Sequence, residues 1–140
     1  MLVTQQPVLR RFWYPVMPLD HLTAGPQAFA LLGQPLVLWL TETGKPAALA
    51  DQCCHRSAQL SRGIVKDGCV RCPYHGWSYD AEGTCINVPQ LDPDAVIPKT
   101  YRVSSFNCVE RYGYVWVCLD DDPLQPIPDI PQFADTRFRY

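Results

Sequence analysis

The stretch "CVRCPYHGWSYD", residues 69–80, places a cysteine and a histidine, Cys72 and His75, three apart, followed directly by Gly76 and Trp77. Upstream, "DQCCHRSAQLSRG", residues 51–63, holds a second pair, Cys53 and His55, with one residue between them. Residues 56–71 separate the two pairs, so the pattern is C-x-H, a spacer of 16 residues, then C-x-x-H. A single tetrahedral zinc asks both members of a pair to chelate one ion, and such pairs usually leave two or more residues between ligands. C-x-H is tight for that task. In an extended loop residues i and i+2 point to the same side, which suits ligation of two neighbouring metals. The spacing therefore favours a two-iron two-sulfur cluster, in which each loop serves both irons.

The chain around these pairs reads as short antiparallel strands. "PLVLWL" (35–40) and "PAALAD" (46–51) flank "TETGK", and apolar, β-prone runs joined by a Gly-bearing turn predict a hairpin. "GWSYD" and "TCIN" flank "AEG" in the same manner, and "YRVSSFNCVE" (101–110) meets "YVWVCLD" (114–120) across "RYG". No long stretch keeps apolar residues at helical spacing, so the expected fold class is all-β. After Leu119 three aspartates lead into "PLQPIPDIPQF", with prolines at 123, 126, 128 and 131. Each proline lacks a backbone donor, and a segment so rich in them is expected to run extended over the surface as a connector.

At 140 residues the chain is the size of one domain and needs no disulfide staples. Its net charge of −2 gives no electrostatic reason to expect nucleic acid as a partner. The longest apolar run is strand-sized, so no membrane span is expected. Seven cysteines without framework spacing read as thiols or metal ligands, and the start of the chain lacks a cleavable signal pattern. A cytoplasmic or other reducing intracellular compartment is the expectation.

With these residues in view, the sequence resembles the Rieske family, whose motif is C-x-H followed by C-x-x-H. "CCHRSAQLSRG" (53–63) and "CPYHGWSYD" (72–80) are similar to the two loops of the large subunits of Rieske non-haem iron oxygenases. "FWYPV", "LLGQPLVLWL", "INVPQ" and "YGYVWV" look like the N-terminal domain of the group containing pheophorbide a oxygenase and vanillate demethylase. The resemblance implies an antiparallel sandwich with a small cluster-binding subdomain made of two loops. It implies a [2Fe-2S] cluster with Cys53 and Cys72 on one iron and His55 and His75 on the other. Relatives with a disulfide between the loops carry a cysteine where this chain has Ala58 and Tyr74, and a serine where it has Trp77. With fewer donors to the sulfurs, the potential should lie low in a range of roughly −150 to +300 mV. Tyr79 is left as a donor to a cysteine sulfur.

The implied function is electron transfer as the N-terminal part of an aromatic-ring-type or tetrapyrrole-type oxygenase or dioxygenase. A reductase or ferredoxin would supply electrons, and a catalytic domain with a non-haem Fe(II) would receive them. Such an iron is held by two histidines and a carboxylate. The chain has three histidines, and only His21 is left over. The expectation is therefore a Rieske domain over residues 1–122, a connector over 123–140, and a catalytic domain elsewhere; a free-standing Rieske ferredoxin is the alternative. Trp77 and Tyr74 are expected to shield the cluster, and His55 and His75 to stay near the surface. Cys54 is expected to be a packed or partly exposed thiol, and Cys69, Cys85, Cys108 and Cys118 core residues beside Trp39 and Trp116. Asp120, Asp121 and Asp122 should form a solvated turn, and His21 a solvated loop side chain. Arg56 and Arg62 stand near the first loop, either to guide a partner or to hold loop carbonyls.

Overall fold

The computed structural model describes residues 2–55 and 57–137. Arg56 lies outside them. Among the described residues, ten strands form two antiparallel sheets. β1 (Tyr14–Pro18), β2 (Gln27–Leu31), β3 (Gln34–Leu40), β4 (Pro46–Ala50), β9 (Ser105–Arg111) and β10 (Tyr114–Cys118) make a six-stranded sheet in the order β1-β10-β9-β4-β3-β2. Between β4 and β9 the chain makes a smaller sheet from β5 (Ile64–Lys66), β6 (Cys69–Arg71), β7 (Ser78–Tyr79) and β8 (Cys85–Asn87), in sequence order. Short 3₁₀ turns are the only helical structure among the described residues, as the missing helical periodicity predicts.

The three predicted hairpins are present. β3 pairs with β4 from Leu36↔Ala50 to Leu40↔Pro46, and β7 with β8 through Ser78↔Asn87 and Tyr79↔Cys85. β9 pairs with β10 from Asn107 to Arg111, but the strand begins only at Ser105, and Arg111 belongs to the strand rather than to the turn. Residues 101–103 are instead tied to 83–85, at the start of β8: Cys85 N–H donates to Tyr101 O, and Val103 N–H to Gly83 O, while Ser104 O accepts from Ala50 N–H of β4.

Three hairpins turn in two residues with positive φ at both: Leu32-Gly33, Asp67-Gly68 and Tyr112-Gly113. Such turns match the right-handed twist of the strands they join. Glycine takes positive φ without cost, whereas Leu32 and Tyr112 adopt it against their side chains.

Strands β3 and β4 are buried on both faces, which is why "PLVLWL" reads as a continuous apolar run rather than an alternation. Val37, Trp39 and Leu49 point into one core, shared with Leu60, Val70 and Tyr79 of the smaller sheet and its loops. Leu36, Leu38 and Ala48 point into the other, which they share with Val115 and Val117 of β10. Trp39 Nε1 donates to Gly68 O at 2.9 Å, fixing the tip of the β5–β6 hairpin to the large sheet. Trp116 is buried on β10 as expected.

The proline-rich stretch joins no sheet and is mostly exposed, with Ile127 buried and a 3₁₀ turn over Pro131–Ala134. Arg111 donates to Ile127 O and Asp129 Oδ1, and the Tyr112 hydroxyl donates to Asp129 Oδ1 and accepts from Ile130 N–H. Asp121 and Asp122 are exposed, and Asp122 pairs with Arg11 at 3.1 Å.

Candidate metal centre

The two Cys/His pairs fall in two loops at one end of the smaller sheet. The first (51–63) joins β4 to β5, and the second (72–77) joins β6 to β7. Both loops close in the same way. Cys53 donates its N–H to Ala58 O, and its carbonyl accepts from Ser57 N–H; Cys72 donates its N–H to Trp77 O, and its carbonyl accepts from Gly76 N–H. The residue four after each cysteine has positive φ, Ser57 at 57° and Gly76 at 74°. One turn is thus built twice. It sinks each cysteine, both under 5% exposed, and leaves each histidine at the surface.

The base of the first loop is strapped by Asp51, a buried carboxylate that accepts from Ser61 N–H at 2.7 Å and from Ser61 Oγ at 2.6 Å. A Cβ at Gly63 would collide with Arg71 O, so only glycine lets the end of the first loop lie against the strand that leads into Cys72. These contacts bring together what the sequence separates by 16 residues.

The four predicted ligands converge as two pairs. Cys53 and Cys72 are buried in the same core cluster. The His55 and His75 rings lie 5.1 Å apart, tilted at 61°. Burial pushes the Cys72 thiol up, and the neighbouring Cys53 adds to this, against the Tyr74 and His75 backbone amides that favour the thiolate. Among the described residues no three His, Cys, Asp or Glu side chains gather as one bound ion requires. Two soft sulfurs at one end and two imidazoles at the other are what two bridged irons ask of a protein, so the donor set fits a [2Fe-2S] cluster.

Trp77 is buried and stacks on His55 at 4.3 Å and 5°, and also on Tyr101 at 4.9 Å. Its Nε1 donates to Gln90 Oε1 at 3.0 Å, and Gln90 Nε2 donates to His75 O at 2.8 Å. One tryptophan therefore fixes the ring of one histidine and, through Gln90, the backbone of the other. Tyr74 does not shield the site. Its side chain is 75% exposed, because in this turn the residue before the histidine points outward; what Tyr74 contributes is its backbone amide.

Tyr79 is where a sulfur donor was expected: fully buried, with its hydroxyl 3.1 Å from Cys53 Sγ. Burial, then the two adjoining sulfurs, push its pKa up, so it stays a protonated donor. Cys54 is exposed, and Cys85 and Cys118 are buried in strands, with Cys69 and Cys108 half-buried; all seven cysteines are unbridged. Arg62 is exposed. His21 is exposed on the turn Leu19–Ala24, whose Leu22 anchors the core remote from the loops. Asp51, Ser57 and Gln90 were not singled out from the sequence. The only signal for Asp51 was its position immediately before the motif.

Residues 12–111 match the family described as the Rieske [2Fe-2S] domain. Aminopyrrolnitrin oxygenase PrnD of Pseudomonas fluorescens is 38% identical over 84% of this chain and 34% of its own length. Methylxanthine N1-demethylase NdmA of Pseudomonas putida is 40% identical over 94% of this chain and 39% of its own. The structure of NdmA superposes with a TM-score of 0.86 over 97% of this chain and 43% of that one, and that of dicamba monooxygenase with 0.82 over 93% and 41%. The chain thus spans between about a fifth and two-fifths of the length of curated relatives it matches. Paired loops, an antiparallel scaffold and these likenesses converge: the chain belongs to the Rieske [2Fe-2S] domain family.

Proposed function

We propose that Cys53, His55, Cys72 and His75 hold a [2Fe-2S] cluster, sulfurs on one iron and imidazoles on the other, and that the chain is the electron-relay domain of an oxygenase. Bound there, the cluster supplies one-electron storage at a potential raised by its neutral imidazole ligands. The observation that carries the reading is the sorting of the donors: both cysteines buried in one core cluster, and two exposed imidazole rings 5.1 Å apart. The protein's part is to keep water from the sulfurs, to hold both rings at the surface where an electron partner docks, and to place Tyr79 on Cys53.

The substrate-transforming iron would lie in a separate catalytic domain, reached through the connector at 123–140. The lengths of the relatives support this, as does the demethylase and oxygenase chemistry in their names. A reductase or ferredoxin would supply the electrons, and seven unbridged thiols suit a reducing compartment. No helix among the described residues is long and apolar enough to cross a membrane.

Anaerobic reconstitution with iron and sulfide tests the assignment. The expected product has iron and labile sulfide in equal amounts and a coloured oxidised form that His55→Ala or His75→Ala abolishes. A colourless protein binding one zinc overturns it. Downstream coding sequence with two histidines and a carboxylate at mononuclear-iron spacing separates the oxygenase from a free-standing ferredoxin.

A further inference from the structure

The Tyr79 hydroxyl has three polar neighbours: Cys53 Sγ at 3.1 Å, Cys54 Sγ at 3.2 Å and Cys54 N at 3.3 Å. A phenol has one proton to give and two lone pairs to offer. The Cys54 N–H can only donate, and Cys53, as a metal-bound thiolate, can only accept. The phenolic proton therefore goes to Cys53, and the lone pair that remains is open to the Cys54 S–H. Each contact then has one direction, and the hydroxyl's capacity is used in full.

From this arrangement we propose that the Cys54 thiol is a positioning residue, donating to Tyr79 so as to strengthen the Tyr79 hydrogen bond to Cys53 and raise the reduction potential of the cluster. The proposal rests on Cys53 being a ligand. Donation into a hydroxyl oxygen polarises its O–H, so chained hydrogen bonds reinforce one another. A stronger bond to a ligand sulfur stabilises the reduced cluster, which carries the extra electron. Cys54 suits the task because the turn that sinks Cys53 leaves it exposed, so its side chain can be changed without opening a cavity in the core.

The test is a redox titration of the reconstituted chain, followed by its visible spectrum. Cys54→Ala should lower the equilibrium constant for reduction about threefold, or about 28 mV for a one-electron couple at 59 mV per decade. Cys54→Ser, which keeps a donor, should restore the wild-type potential. Tyr79→Phe should lower the potential further, and adding Cys54→Ala to it should change nothing more. An unchanged or raised potential in Cys54→Ala overturns the proposal, as does the same shift with or without the Tyr79 hydroxyl. If the wild-type chain takes up no iron and sulfide, the ligand assignment falls and the relay with it. If the cluster forms and Cys54→Ala is silent, the relay alone is wrong.

Discussion

Replacing Trp77 by leucine should loosen the whole metal centre, and the size of the effect follows from its contacts. The side chain is 7% exposed, and a buried tryptophan removes roughly 150–250 Å² from water. Leucine recovers only part of that, leaving a deficit of roughly 80 Å², or about 2 kcal/mol at ~25 cal/mol per Å². The stack on Tyr101 adds about 1 kcal/mol. The hydrogen bond to Gln90 adds about 0.5 kcal/mol, since Gln90 is exposed and can turn to water. The stack on exposed His55 counts for little in stability but sets that ring's plane. Urea unfolding of the cluster-free domain should therefore show a loss of about 3–4 kcal/mol. Gln90→Leu, which removes only the hydrogen bonds, should cost about 1 kcal/mol or less. In the reconstituted protein Trp77→Leu should also release iron faster than Gln90→Leu. A Trp77→Leu protein within about 1 kcal/mol of wild type would refute the reasoning, because the stack would then be a bystander.

Two further outcomes are expected. Burial pushes the Cys108 thiol up to about 12 from an ordinary 9.0, although its side chain is only half-buried by surface area. A raised folded pKa means that the stabilisation is complete below pH 9 and lost as pH rises from 9 towards 12, where the unfolded chain ionises first. Wild type should accordingly lose more stability than Cys108→Ala between pH 8 and pH 10.5 in urea melts, and parallel losses would contradict this. Tyr112→Phe removes the hydroxyl that holds Asp129 and Ile130 N–H. Limited proteolysis within residues 123–137 should speed up by about tenfold while the melt of the domain shifts by about 1 kcal/mol or less; unchanged cleavage would show that Tyr112 does not hold the segment.

The candidate metal centre stood out in the sequence because its chemistry is local: two short spacings, a glycine and the identities of four donors. Tyr79 was legible too, as a hydroxyl two residues beyond Trp77 in the strand that leaves the second loop. What closes the loops was not. Ser57 takes the backbone conformation that Gly76 takes in the other loop, yet serine carries no mark of positive φ, so the repeated turn is invisible in the letters. Asp51 and Ser61 join across ten positions, and Trp77 reaches Gln90 across thirteen, contacts that no local pattern announces. The hairpin at Asp67-Gly68 had a readable signal, an Asp-Gly step between β-prone runs, and it frames the second loop. Leu32-Gly33 and Tyr112-Gly113 turn in the same geometry without the usual first residue, and only the glycine hints at them. Tyr74 looked like a lid because it is aromatic and adjacent, but the turn faces it outward.

Strands β3 and β4 send successive side chains to opposite cores, so a slip of one residue in either would exchange the contents of the two halves. The segment that carries the candidate ligands packs its own Leu60, Val70 and Tyr79 against Val37, Trp39 and Leu49 of those strands, so its core is a shared one. It cannot be lifted out and grafted elsewhere as a cassette, and the small sheet cannot melt while the large one stands without stripping Val37, Trp39 and Leu49 bare. Heat or denaturant should thus take both sheets in a single cooperative step, leaving no state in which a folded scaffold carries open, oxidisable loops.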